Sequence, residues 1–117
     1  MDFSGFFREF SARKDAEISK MTTFGVGGRA ALAVYPESVA RLAAVVAFAA
    51  KSDVPVLVLG GGSNVLVSDA GFSGIVIRVG GVLRGIFPCR GGFWAAAGTY
   101  LGEIFRFSRD NDLGGFE

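Results

Sequence analysis

The sequence predicts an α+β domain, a mixed sheet with flanking helices, and three features carry that reading. The continuous apolar, β-branched run Val54-Pro55-Val56-Leu57-Val58-Leu59 has the length and composition of a strand buried on both faces. A stretch of helical period, residues 37–52, precedes it. A series of short strand-like runs separated by glycines, not by further helices, follows it. Helix, strand, helix, several strands, helix is the order of a layered α+β domain, and it departs from the strict alternation of a doubly wound nucleotide fold.

Each element has its own signal. Phe3, Phe6, Phe7 and Phe10 recur at three- and four-residue spacing, which predicts an opening helix with an aromatic face turned onto the domain, the alternative being a membrane or partner face. A polar stretch and then Thr22-Thr23-Phe24-Gly25-Val26-Gly27-Gly28 lead into a strand over residues 30–35, ended by Pro36. Residues 37–52 predict a helix starting near Pro36 or Ser38, with Val39, Leu42, Ala43, Val46 and Ala50 on the packed face. After the 54–59 strand come Gly60-Gly61-Gly62-Ser63-Asn64, a short strand at 65–67, a turn at Asp69-Ala70-Gly71, and a strand at 74–79 stopped by Gly80-Gly81. Residues 82–87 and 92–97 predict a hairpin around a turn containing Pro88, Arg90 and Gly91, with Phe93 and Trp94 packed in or beside the sheet. A last helix spans 100–111, with Leu101, Ile104, Phe105 and Ser108 at helical spacing and Thr99 as its cap. Arg106 and Arg109 form its solvated side, and Leu113-Gly114-Gly115 ends it.

Composition removes several function classes. With 117 residues the chain fits one domain, and 50% hydrophobic against 20% charged residues excludes a disordered one. Twelve Lys plus Arg against eleven Asp plus Glu give a formal charge of +1, so no nucleic-acid or anionic-membrane partner is expected. The apolar run at 42–50 is too short for the roughly 20 residues of a membrane span. Asp2 and Glu9 interrupt what a signal peptide keeps apolar, and Cys89, the single cysteine, can close no internal disulfide. A cytoplasmic protein is expected. The chain has no histidine, which removes Cys-His and Ser-His-Asp arrangements and most zinc sites. Neither a metal site nor a catalytic residue is assigned, and chemistry must come from a bound cofactor or from elsewhere.

The loop after the buried strand points to that cofactor. Three glycines followed by Ser63 and Asn64 let main chain approach a ligand closely and let successive N–H groups converge on an anion such as a diphosphate. A tight turn between strands is the competing reading of the loop alone. No Gly-Lys-Ser or Gly-Lys-Thr follows Gly62, as a phosphate-binding Walker loop requires. Gly25-Val26-Gly27-Gly28-Arg29-Ala30 precedes a strand, whereas the dinucleotide fingerprint follows one and opens a helix.

Taken in order, Thr22-Thr23-Phe24-Gly25-Val26-Gly27-Gly28, the loop Leu59-Gly60-Gly61-Gly62-Ser63-Asn64-Val65-Leu66-Val67, the strand Gly74-Ile75-Val76-Ile77 and Ala96-Ala97-Gly98 resemble the UDP-N-acetylenolpyruvoylglucosamine reductases. The resemblance runs over roughly residues 20–117. It implies part of an FAD-binding domain of the vanillyl-alcohol oxidase (PCMH) type, with residues 1–19 as an amino-terminal helix and lead-in. Residues 20–117 would then be the first subdomain and the start of the second, ending before the rest of the FAD domain and the substrate domain. It further implies Gly60, Gly61, Gly62, Ser63 and Asn64 as the FAD-diphosphate cradle, NADPH as hydride donor, and a nucleotide-sugar substrate whose enolpyruvyl double bond is reduced. The family's proton-donating serine and its assisting arginine and glutamate would lie beyond Glu117, leaving this chain inactive alone. Phe24 is left open between core and ligand contact, and Arg29 stands where many members of that family have proline. Two other readings remain: an FAD-dependent alcohol or hydroxy-acid oxidase or dehydrogenase of the same superfold, and a non-enzymatic nucleotide-binding module.

Overall fold

The computed structural model of the chain describes residues 4–10 and 12–115. Phe3 and the side chain of Phe7, both placed on the opening aromatic face, lie outside the described residues, as do Phe116 and Glu117. The elements are helix α1 (Ser4–Phe10), strand β1 (Arg13–Glu17), strand β2 (Arg29–Val34), helix α2 (Val39–Lys51), strands β3 (Val56–Leu59), β4 (Phe72–Arg78), β5 (Ile86–Cys89) and β6 (Gly92–Ala95), and helix α3 (Leu101–Asp110). Short 3-10 turns at Ile18–Met21 and Gly81–Leu83 complete them.

A four-stranded sheet in the order β1-β2-β4-β3 forms the body, and β5 with β6 forms a separate hairpin. β2, β4 and β3 are parallel and β1 runs against β2, so the sheet is mixed and the α+β expectation holds. The two antiparallel partners of the hairpin are in register at Ile86 with Ala95 and Cys89 with Gly92.

Alternation along the strands builds a core on each side of the sheet. On one side Leu32, Val34, Ile75 and Ile77 pack with Val45 and Ala49 of α2 and with Phe6 and Phe10 of α1. Phe6 lies 4.5 Å from both Phe10 and Phe48, ring centre to ring centre, and this pins α1 to α2. On the other side Val76 and Leu59 pack with Ile18 and with the partly buried Met21, Val65 and Val67.

Several sequence expectations are corrected by this arrangement. β3 is an edge strand, and Val58 is 54% exposed; the strand buried on both faces is β4, with Gly74, Ile75, Val76 and Ile77 all inside. The reason is topological: α2 packs on β2 and β4 and leaves the same-side residues of β3 uncovered. Residues 65–67 are irregular, and Val65 and Val67 partly bury their side chains against the second core while Leu66 is exposed. The polar lead-in contains β1, whose Arg13, Lys14 and Asp15 are exposed and whose Ala16 alone is buried. Charged residues of this kind are usual on a sheet edge, and they mask the strand in the sequence.

The helix phases also shift. In α2 the inward residues are Val45 and Ala49, with Val39 and Val46 exposed, so the packed face is rotated from the one expected; Ser38 caps the helix by accepting from the Arg41 N–H at 3.1 Å. In α3 Ser108 faces in while Leu101 and Phe105 are exposed. The strand expected from residue 82 begins at Ile86, because Gly81–Leu83 is a 3-10 turn, and Pro88 and Cys89 belong to β5 instead of the turn. Phe93 does pack, edge to face on Phe107 at 5.1 Å, but Trp94 is 73% exposed and does not.

Thr99 is not the cap of α3. Its hydroxyl accepts from the Gly85 N–H at 2.9 Å and donates to the Gly85 carbonyl at 3.0 Å, closing the base of the hairpin, and Tyr100 takes the N-cap position. Thr99→Val keeps the shape and removes the partner of the Gly85 N–H. It is expected to cost about 1–2 kcal/mol of unfolding free energy, read as a lower urea midpoint at unchanged slope.

Arg29 ties the sheet edge: it donates to the Asp15 carbonyl at 2.7 Å and pairs with Glu17 at 3.1 Å. Glu17 also pairs with Lys20, and that hydrogen bond and charge hold its carboxyl below the usual carboxylate range.

Candidate functional site

Three parallel strands end at one edge of the sheet, and each passes directly into a loop there. β3 leads into Gly60 and Gly61, β4 into Val79, Gly80 and Gly81, and β2 into Tyr35, Pro36 and Glu37. These loops and the chain from Gly98 to Tyr100 enclose a cleft of about 490 Å³, a volume in the range of small-molecule and cofactor sites. The carboxyl end of parallel strands is where ligands of open α/β sheets bind.

The glycines of this edge divide into two kinds. A Cβ on Gly60, Gly80 or Gly81 would meet nothing within 4 Å, and one on Gly61 would meet only the Tyr100 ring, at 3.7 Å. These positions present bare main chain to the cleft. Gly62 is the opposite case: it is buried at φ +73°, and a Cβ there would stand 2.1 Å from the Met21 carbonyl and 2.9 Å from Thr22 Cα. Gly98 is also an abutment, since its Cβ would come within 2.7 Å of Gly80 and of the Leu83 carbonyl. The hairpin therefore approaches the sheet edge only because residue 98 has no side chain.

Close contact at Gly62 joins the two glycine motifs of the sequence. The Thr23 N–H donates to the Gly62 carbonyl at 2.8 Å, and the Arg78 guanidinium, at the end of β4, donates to the Met21 carbonyl at 2.5 Å. Thr22 Oγ1 is buried beside them with no hydrogen-bond partner. Phe24 is exposed, which removes the core-packing alternative for it. Gly27 and Gly28 pack beside the chain at Val67, Asp69 and Gly71, where the Gly28 N–H donates to Ser68 at 2.9 Å.

Of the five residues singled out in the loop, Gly60 and Gly61 line the cleft, Gly62 lies buried beneath Met21 and Thr22, and Ser63 and Asn64 form an exposed turn beyond it. Sequence reading missed Arg78, Gly80, Gly81 and Tyr100 as cleft residues. The available signal was a second glycine pair directly after a buried strand, which repeats the arrangement at Gly60 and Gly61. Arg78 brings a positive charge to one wall and Glu37 a negative one to another.

A larger recess, about 690 Å³, lies at the other end of the strands between Gly28, Arg29, Pro55 and Phe72. It carries Asp15 and Asp69, and its Arg29 is already bonded to Asp15 and Glu17. Its carboxylates make that end the less favourable of the two for an anion. Among the described residues no group of His, Cys, Asp and Glu is arranged to hold a metal, and no helix is long and apolar enough to cross a membrane.

A mixed sheet whose parallel strands deliver bare glycine loops to one cleft is the build of a nucleotide-cofactor domain. The chain belongs to the FAD binding domain family, whose description matches residues 30–115. It is similar to proteins named UDP-N-acetylenolpyruvoylglucosamine reductase: 38% identical over 96 residues to that of Syntrophomonas wolfei, covering 82% of this chain and 32% of the relative. The likeness to the Synechococcus protein of that name is 40% over 101 residues, 86% of this chain and 32% of the relative. To the Rubrobacter xylanophilus protein it is 35% over 107 residues, 92% and 36% respectively. The chain thus spans about a third of the length of the curated relatives it matches.

Proposed function

We propose that the chain is the FAD-binding part of a cytoplasmic UDP-N-acetylenolpyruvoylglucosamine reductase, with FAD held across the carboxyl-end cleft. The observation that carries this is the set of side-chain-free positions Gly60, Gly61, Gly80 and Gly81 on neighbouring loops that line one cleft, where a diphosphate can approach main-chain N–H groups. The residues present fit that group. Thr22 Oγ1 is a buried donor without a partner beside the loop, and the Arg78 guanidinium has donors beyond the one given to Met21.

In this reading Gly60 and Gly61 form the surface against the diphosphate, and Gly62 anchors the loop to Met21 and Thr22. Ser63 and Asn64 offer a hydroxyl and an amide from the turn beyond. Arg78 keeps Thr22 and Thr23 against the loop and balances negative charge. The chemistry FAD supplies when bound is transfer of a hydride equivalent from NADPH to the enolpyruvyl double bond of UDP-N-acetylglucosamine enolpyruvate, giving UDP-N-acetylmuramate for peptidoglycan synthesis. No side chain of this chain is assigned to proton transfer, so the 117-residue chain alone is expected not to turn over substrate.

The test is a chimera in which this chain replaces the matching 36% of the Rubrobacter xylanophilus relative. The expected product is a yellow protein that oxidises NADPH only when the enolpyruvyl substrate is present. A folded chimera that takes up no flavin would overturn the FAD assignment, and a flavin-loaded one that fails to oxidise NADPH with the enolpyruvyl substrate would overturn the reductase assignment while leaving FAD binding intact.

A further inference from the structure

Tyr100 occupies a position at which the fold has no use for an aromatic ring. It is the N-cap of α3, where Ser, Thr, Asp or Asn ordinarily supplies a side-chain oxygen to the first turn, and it makes no such bond. The hydroxyl next to it, on Thr99, is committed to Gly85. The Tyr100 ring is not core either: the residue is 55% exposed and lines the cleft.

The ring is nonetheless held. The Arg84 guanidinium carbon lies 4.6 Å from its centroid, and Arg84 is in turn bonded to Glu103 in the first turn of α3, with Nε 3.2 Å from Oε2. Gly61 stands beside the ring, and the ring is all that a Cβ on Gly61 would touch within 4 Å. Gly61 is not at positive φ, so neither its backbone nor its packing asks for glycine there. Any larger side chain would begin to cover Tyr100.

Resting on the FAD reading above, we propose that Tyr100 is a stacking platform for a flat heteroaromatic ring of the bound dinucleotide, left uncovered by Gly61 and fixed from one side by Arg84. A tyrosine suits the task because its ring offers a large rigid face with little freedom to lose. The ring that stacks belongs either to the adenine or to the isoalloxazine end of FAD, and the two ends can be tested separately.

Dissociation constants for FAD, ADP and FMN are to be measured by amide-shift titration for the unaltered chain and for Tyr100→Phe, Tyr100→Leu and Tyr100→Ala, alongside thermal unfolding. Tyr100→Ala and Tyr100→Leu should weaken FAD about tenfold or more, and Tyr100→Phe should stay within about twofold of the parent. ADP weakened in parallel places adenine on the ring; FMN weakened in parallel places the isoalloxazine there. FAD binding within about twofold in Tyr100→Leu, or a loss in Tyr100→Phe as large as in Tyr100→Ala, overturns the platform. If the unaltered chain binds none of the three ligands, the same series is read in the chimera with the Rubrobacter xylanophilus relative, and absence of binding there too means that the FAD reading itself fails, a result separate from any comparison of variants.

Discussion

Gly62→Ala is expected to lower the unfolding free energy by about 2–5 kcal/mol, the sum of a left-handed backbone penalty and an overpacking penalty. Both come from the same place. The residue sits at φ +73°, and its new Cβ would fall 2.1 Å from a carbonyl oxygen that Arg78 holds by a hydrogen bond. Relief requires moving Met21 and Thr22, which would break the bond from Thr23 to Gly62 and open the core beneath Met21. In a chain of this size the melting temperature should fall by roughly 10–20 °C. Gly60→Ala, two residues earlier and open on all sides, should shift it by only a few degrees, on the order of 1 kcal/mol or less. Circular dichroism melts of the two variants decide the matter. Equal effects would mean that Gly62 is not the anchor described.

The second large effect concerns binding, and its signature is the reverse. Gly61→Asp should leave the melting temperature of the free chain within a few degrees of the parent, because the site is open and at no positive φ. FAD affinity should drop by about a hundredfold, since a carboxylate on the cleft wall would oppose a diphosphate at close range, about 4 kcal/mol per charge pair at the effective dielectric of a protein surface. Isothermal titration of both proteins measures it. Destabilisation with affinity retained would place the ligand elsewhere and make Gly61 structural.

These two glycines show what the sequence could and could not convey. The string Gly60-Gly61-Gly62 marks the loop as special, and the buried strand before it places the loop at a sheet end. Nothing in the string distinguishes the open positions from the packed one. That distinction depends on Met21 and Thr22, far earlier in the chain, and on where Arg78 delivers its guanidinium. Tyr100 was hidden for a similar reason: by spacing it belongs to a helix, and only the return of the hairpin to Gly80 through Gly98 puts it in the cleft.

The fold was legible where apolar runs are long and illegible where position in the sheet decides burial. The run at 54–59 reads as a central strand because it is uninterrupted, yet β4 takes the centre and β3 the edge. β1 reads as polar lead-in because an edge strand needs one buried side chain, Ala16, and little else. By spacing the α2 stripe is Val39, Leu42, Ala43, Val46 and Ala50, of which only Leu42 packs on the core, because alanines blur the apolar face of a helix that is apolar nearly all round. Packing against Ile75 and Ile77 selects Val45 and Ala49 instead.

FAD entry into the carboxyl-end cleft is tested most directly by an amide-shift titration of the unaltered 117-residue chain with FAD. Saturable shifts should concentrate on Gly60, Gly61, Gly80, Gly81 and Tyr100, with Thr22 and Thr23 following through their contact with Gly62. Shifts gathered on Ala31, Asp69 and Ser73 at the opposite end of the strands, or no shift at millimolar FAD either here or in the chimera with the Rubrobacter xylanophilus relative, would contradict it.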